Sequence, residues 1–105
     1  QLAFKGSSYG ADYAASKAGM LGMARSLARE LAPHIRVNSI APGYVDTDIL
    51  AGDSPEKRKK RISQVPLGRI ASPVDIAGPV VFLLSDMSEY VTGATLDING
   101  GLFIH

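Results

Sequence analysis

Tyr13 and Lys17 stand four residues apart in the segment Tyr13-Ala14-Ala15-Ser16-Lys17, and on a helix that spacing puts both side chains on one face. A phenol beside an ammonium can do acid/base work. Phenols titrate near 10 and exchange protons poorly at neutral pH, whereas a positive charge alongside favours the phenolate and brings it toward the working range. Taken alone the pair is a weak signal, because a tyrosine and a lysine at this spacing occur by chance in many helices. The surroundings add weight. Ala14, Ala15, Ala18, Gly19 and Gly22 flank the pair and no charge follows Lys17 until Arg25, so Lys17 does not read as part of a solvated face, and the small neighbours leave room for a ligand. A second stretch, Asn38 to Thr47, places Pro42-Gly43 just past an apolar β-branched run. Ligands of open α/β sheets bind beyond the C-terminal ends of the strands, which makes this patch the second candidate binding surface.

These residues need elements to hold them. Apolar residues recur at three- and four-residue steps from Ala11 to Leu31, through Leu21, Ala24, Leu27 and Ala28, and predict a long helix that Pro33 stops. Because it is apolar or small nearly all round, it is expected to be buried on more than one side. Ile35 to Ala41 predicts a short strand ended by Pro42-Gly43. From Val45 to Gln64 the chain turns polar and predicts an exposed loop carrying a short helix, an excursion of the kind that often forms a lid. Ser72-Pro73-Val74-Asp75 supplies a hydroxyl N-cap, a proline at the first helical position and an acid three residues after the cap, predicting a helix to about Leu84 that Pro79 should bend near Asp75 to Gly78. Thr95 to Asn99 predicts a second strand, ended by Gly100-Gly101. Strand, crossover helix and strand make a βαβ unit with parallel strands. The fold class is therefore α/β, with too few strands for a complete doubly wound sheet.

At this point the chain resembles the short-chain dehydrogenase/reductase family, over essentially its whole length. Tyr13-Ala14-Ala15-Ser16-Lys17-Ala18-Gly19 resembles the family's Tyr-x-x-x-Lys motif, and Arg36-Val37-Asn38-Ser39-Ile40-Ala41-Pro42-Gly43 its sixth strand and Pro-Gly turn. Pro66-Leu67-Gly68-Arg69, Asp75-Ile76-Ala77, Phe82-Leu83, Ser85-Asp86, Val91-Thr92-Gly93 and Asn99-Gly100-Gly101 follow the family's C-terminal blocks in order and spacing. The resemblance implies the C-terminal part of a Rossmann-like doubly wound parallel sheet, with residues 1–105 forming part of one domain whose dinucleotide-binding N-terminal half is absent.

It also implies roles. Tyr13 would be the general acid in carbonyl reduction and the base in alcohol oxidation; Lys17 would hold the nicotinamide ribose hydroxyls and favour the phenolate. Pro42, Gly43, Val45 and Thr47 would meet the nicotinamide end of NAD or NADP. The segment Asp48 to Gln64 would fold over a small carbonyl or alcohol substrate, and the full-length protein would be a cytoplasmic homo-oligomer, a dimer or tetramer. The family's catalytic serine would fall at or just before Gln1, with Ser7 and Ser8 too close to Tyr13 to replace it. The glycine-rich phosphate loop has no counterpart here, so the chain by itself is expected to be inactive. Asn99 stands where the family often has Asp. The other reading is a non-catalytic module that serves only oligomerisation.

Composition narrows the rest. The 105 residues are 46% hydrophobic and 20% charged, with a net charge of +1 and no cysteine, values of a globular chain without disulfides or a bulk field for nucleic acid or membranes. No stretch approaches the ~20 apolar residues of a membrane span. Glu56 beside the basic run Lys57 to Arg61 reads as a solvated face of the lid helix rather than a nucleic-acid patch. His34 and His105 lack a carboxylate or second histidine at ligand spacing, so no metal site is expected. Tyr9, Tyr44 and Tyr90 lack a following lysine and are assigned to packing or substrate contact, Tyr44 foremost for substrate. Leu102 to His105 is expected at a subunit interface or under the sheet.

Overall fold

The structure is a computed structural model that describes residues 10–105; the expectations for Ser7, Ser8 and Tyr9 lie outside the described residues. Helix α1 spans Ala11–Leu31, as the periodicity predicts. Ala32 turns extended immediately before Pro33, the conformation that a following proline imposes, and the Leu31 carbonyl accepts from both His34 and Ile35 N–H at 3.0 Å. Burial departs from expectation. Within the described residues only Ala28 of α1 is buried, beside Gly93, and Met20 and Met23 stay more than half exposed. The small residues leave room beside Tyr13 and Lys17, and α1 faces the sheet across a groove.

Strands β1 (Ser39–Pro42) and β2 (Thr95–Ile98) pair in parallel, Ser39 opposite Thr95 and Pro42 opposite Ile98. The predicted strand at 35–41 is therefore displaced toward its C-terminal end. The reason lies in side chains. Val37 N–H donates to Thr92 Oγ1 at 3.1 Å, and Asn38 uses its own amide on Val91 and Ala94, so this stretch is tied down by side-chain bonds before any ladder begins. Pro42 is tolerated as the last strand residue, where a missing N–H costs least.

Two short helices follow where one was expected. These are α2 (Asp48–Ala51) and α3 (Pro55–Ser63), the latter opened by Ser54, whose hydroxyl accepts from Lys57 N–H at 3.2 Å. Helix α4 (Pro73–Leu84) begins at Ser72 as predicted and runs unbroken through Pro79. Asp75 Oδ2 takes the Ser72 N–H at 2.7 Å, the reciprocal half of a capping box. Arg69 grips the same carboxylate with both guanidinium arms, at 2.6 and 2.9 Å.

The far end of α4 is closed by Arg36. Its guanidinium donates to the carbonyls of Leu83 (3.0 Å), Ser85 (3.4 Å) and Val91 (3.2 Å), a cation on the negative end of a helix dipole. Fully buried Ser88, in the 3-10 turn Asp86–Ser88, adds its hydroxyl to the Leu83 and Ser85 carbonyls. The turn after β2 is equally tight: Gly100 and Gly101 have positive φ, and a Cβ on either would come within 3.0 Å of Val65 or Pro66, so glycine is required twice over.

Of the two placements expected for the C-terminal tail, the structure removes burial under the sheet. Ile104 is exposed, and His105 pairs with Asp97 of β2 at 2.7 Å while stacking on Phe103, which lays the tail beside β2 rather than beneath the sheet. Tyr90, assigned to packing or substrate contact, is fully exposed. No described helix is long and apolar enough to cross a membrane.

Candidate active site

A groove of about 620 Å³ separates α1 from the C-terminal end of β1. Tyr13 and Lys17 line one wall together with Met20, Ala24 and Leu27, while Asn38 to Tyr44 line the other, closed by Asn99 and Leu102. The helical spacing explains the first wall. Lys17 Nζ lies 5.2 Å from the centroid of the Tyr13 ring, a cation–π contact worth about 0.5–1 kcal/mol at an exposed site. Tyr13 is 53% exposed, and among the described residues neither its hydroxyl nor Nζ has a hydrogen-bond partner, so both remain available to a ligand. Ser16, between them, turns its hydroxyl onto the Tyr13 carbonyl at 2.8 Å.

The opposite wall is backbone held at close quarters. Gly43 N–H donates to the Ile98 carbonyl at 3.0 Å, and a Cβ at Gly43 would lie 2.9 Å from both Cα and Cβ of Asn99. No larger residue fits without moving that wall. Asn99 is itself fixed, accepting from Gly101 N–H at 2.9 Å and donating to the Phe103 carbonyl at 2.8 Å. That second bond needs an amide here, since a carboxylate could not donate it.

Of the six residues expected at the site, four meet here: Tyr13, Lys17, Pro42 and Gly43. Val45 and Thr47 do not line the groove. Val45 bridges to Ala71 in parallel fashion, and Thr47 precedes α2, its carbonyl accepting from Leu50 N–H at 2.9 Å.

Tyr44 marks the boundary between this groove and a second hollow of about 450 Å³, whose walls include Val65, Arg69, Asp97 and Gly100 but neither Tyr13 nor Lys17. Its hydroxyl donates to Gln64 Oε1 at 2.9 Å, and the Arg61 guanidinium sits 4.9 Å from its ring centroid. Arg61 also hydrogen-bonds Asp53; that bond, with the charges of Arg61 and Lys57 behind it, holds the Asp53 carboxyl below the ordinary carboxylate range despite the burial that opposes ionisation. The basic run keeps Lys57, Lys59 and Lys60 exposed, as a solvated face requires, while Lys57 and Arg61 pair with Asp53, and Arg58 with Asp46 at 3.2 Å. Among the described residues no three His, Cys, Asp or Glu side chains gather as metal ligands.

Arg36, Asn38 and Arg61 were not singled out by chemistry at the sequence level. Each acts on a partner at least eight residues away, beyond the local spacings that make a motif visible.

A family model described as Enoyl-(Acyl carrier protein) reductase matches residues 2–103. A solved short-chain dehydrogenase/reductase from Brucella melitensis, of the glucose/ribitol dehydrogenase type, superimposes with a TM-score of 0.91 at 36% identity, over 99% of this chain and 42% of that one. The chain belongs to the short-chain dehydrogenase/reductase family. Among curated relatives in this family, a 3-oxoacyl-[acyl-carrier-protein] reductase of Aquifex aeolicus is 43% identical over 103 residues, covering 97% of this chain and 42% of the relative. An L-rhamnose 1-dehydrogenase (NAD(P)(+)) of Azotobacter vinelandii is 50% identical over 96 residues, covering 89% of this chain and 38% of the relative. The chain therefore spans about two-fifths of these family members, and the likeness gives its fold as part of the family's parallel α/β sheet.

Proposed function

We propose that this chain supplies the acid/base pair and the nicotinamide-facing wall of an NAD(P)-dependent oxidoreductase acting on a small carbonyl compound or the corresponding alcohol. The observation that carries the reading is the meeting of Tyr13 and Lys17 with Pro42-Gly43 across one groove. The residues fit the nicotinamide end of such a cofactor: an ammonium for ribose hydroxyls, a phenol beside it, and a backbone wall on which Gly43 tolerates no added bulk. Val45 and Thr47 belong to the same reading only as residues that follow the wall, and would reach the carboxamide if the α2 segment moved toward the groove.

The cofactor, when bound, supplies or takes up a hydride at the substrate carbon. This chain's residues handle the proton. In reduction Tyr13 gives its phenolic proton to the carbonyl oxygen as the alcohol forms, and in oxidation the phenolate takes it back. Lys17, whose Nζ lies over the Tyr13 ring, keeps a positive charge beside the group that gives and takes the proton. Asp48 to Gln64, carrying α2 and α3, borders the groove through Tyr44 and forms the substrate side.

Relatives named for a 3-oxoacyl carrier-protein substrate and for L-rhamnose supply two probes. In the full-length protein, NAD(P)H consumption with a 3-oxoacyl thioester and NAD(P)+ reduction with L-rhamnose are followed by nicotinamide absorbance. Tyr13→Phe lowers turnover by about 10²–10⁴-fold on whichever probe is active; unchanged turnover overturns the assignment.

A second reading, an interaction module without catalysis, draws support from the exposed apolar side chains Val81, Leu84 and Met87 along α4 and the turn after it. The two readings join if the enzyme is a homo-oligomer. Turnover of the full-length wild-type protein separates them: the first reading requires it on one of the probes, whereas the second requires association on size-exclusion chromatography with turnover on neither.

A further inference from the structure

We propose that Tyr44 is a positioning residue that sets how the α2–α3 segment sits beside the groove, acting through Arg61 and Asp53. The backbone at Tyr44 is fixed on both sides: Gly43 N–H donates to Ile98, the Tyr44 carbonyl accepts from Ala71 N–H at 3.0 Å, and Asp46 N–H donates to the Ala71 carbonyl at 2.7 Å. Its ring is therefore a stationary post at the groove edge. Helix α3 comes to this post with two groups from its C-terminal end, the Arg61 guanidinium over the ring face and Gln64 on the hydroxyl.

Other anchors for α3 are few. The helix has no fully buried residue, so an apolar core does not decide its position. The exposed Arg58–Asp46 pair is of the kind that contributes little. Arg61 differs, because its planar guanidinium stacks on the aromatic face while its Nε holds Asp53, whose side chain is only 8% exposed. Asp53 lies between α2 and α3. One arginine thus connects the hinge of the segment to a side chain lining the groove, and a substrate that displaces the Tyr44 ring must also release α3. Tyr44 on this account governs which substrate sizes the groove admits, a role that rests on the active-site reading above; the attachment of α3 to Tyr44 does not.

Trypsin tests the attachment directly in the full-length protein, because α3 carries exposed Lys59 and Lys60 and a helix is cut only when it opens locally. Tyr44→Leu should speed cleavage after Lys59 and Lys60 about two- to fivefold, as loss of one cation–π contact implies, and Arg61→Gln, which also gives up Asp53, at least as much. The double variant should fall short of the product of the two single effects, because the Arg61–Tyr44 contact is counted in both, and Tyr44→Phe, which keeps the ring, should restore most of the protection. Wild-type cleavage in Tyr44→Leu, or effects that multiply in the double variant, overturn the proposal. If Tyr44→Leu also exposes Arg25 and Arg29 of α1, global unfolding has intervened and the comparison passes to Arg61. There Arg61→Lys should be better protected than Arg61→Gln, and equal cleavage of the two overturns it.

Kinetics with the 3-oxoacyl thioester test the role at the groove. Tyr44→Leu should raise KM by a larger factor than it lowers kcat, whereas Tyr13→Phe acts on kcat. A Tyr44→Leu defect confined to kcat overturns the positioning role. Normal turnover in Tyr13→Phe overturns the active-site reading and leaves the proteolysis result standing.

Discussion

Asn38 is joined to Ala94 across fifty-six positions of sequence: its Oδ1 accepts the Ala94 N–H at 3.0 Å while its Nδ2 donates to the Val91 carbonyl at 2.9 Å. One half-buried amide thus satisfies both groups at the point where the chain returns to form β2. Asn38→Ala leaves the Ala94 N–H unpaired and takes from the Val91 carbonyl one of its two donors, Arg36 remaining, and should destabilise the full-length protein by about 1–3 kcal/mol. Asn38→Asp keeps the acceptor but turns an oxygen toward the Val91 carbonyl, so it should not restore the loss. Urea denaturation midpoints of the three proteins check both statements.

Gly43→Ala places a methyl group 2.9 Å from backbone and side chain of Asn99. Because one of the atoms met is a Cα, no rotamer change relieves the contact, and the expected cost is about 1–3 kcal/mol with weakened cofactor binding. Gly22→Ala is the contrasting case, in open space within α1, and should gain about 0.5–1 kcal/mol. Thermal melts rank the two against wild type, and a neutral Gly43→Ala refutes the close-approach argument.

The start of α4 should respond to acid. Arg69, with the Ser72 N–H behind it, holds the Asp75 carboxyl far below the ordinary carboxylate value. A depressed native value means that the unfolded chain binds the proton first, so the stabilisation is complete above the unfolded value near 3.9 and is lost as pH falls below it toward the native one. Asp75→Asn removes this contribution, and the urea midpoint of the variant should fall less steeply than that of wild type below about pH 4. Parallel curves would count against the pairing.

Much of the fold could be read from the sequence because it is specified locally. The ends of α1 follow from a 3.6-residue pattern and Pro33, and the start of α4 from Ser72, Pro73 and Asp75. What escaped prediction depends on distant partners. Ile35 to Asn38 has strand composition, yet Thr92 and Asn38 side chains take its bonds, which only the returning chain can supply. The division into α2 and α3 is the exception, since Gly52 and the Ser54-Pro55 helix start mark it locally and could have predicted it; no spacing rule predicts a guanidinium stacking on Tyr44, seventeen positions earlier in the sequence. At the groove, helical spacing puts Tyr13 and Lys17 on one face but is a weak signal by itself, and only the small neighbours and the family resemblance give it weight; Pro42-Gly43 follows from strand-end logic. Val45 and Thr47 were assigned by resemblance, and the groove is lined without them.

Asn99→Asp tests the reading of the amide. The carboxylate can still accept from Gly101 N–H but offers nothing to the Phe103 carbonyl, so residues 102–105 should loosen while β2 stays paired. Hydrogen exchange should rise at Leu102 and Phe103 and remain unchanged at Leu96. Uniform protection across both segments would show the donor to be dispensable.

Arg36 and Asn38 both reach the Val91 carbonyl, ahead of the first paired residues Ser39 and Thr95. The two strands consequently leave a common origin, and their alignment is chosen before the first ladder bond forms. Parallel strands have no hairpin to count residues for them, and a slip of one position exchanges the faces of every side chain that follows. Here such a slip, about 3.3 Å along the strand, would have to break the Arg36 and Asn38 bonds together. The pair therefore serves as the zero mark from which Pro42 and Gly43 are measured out to the groove.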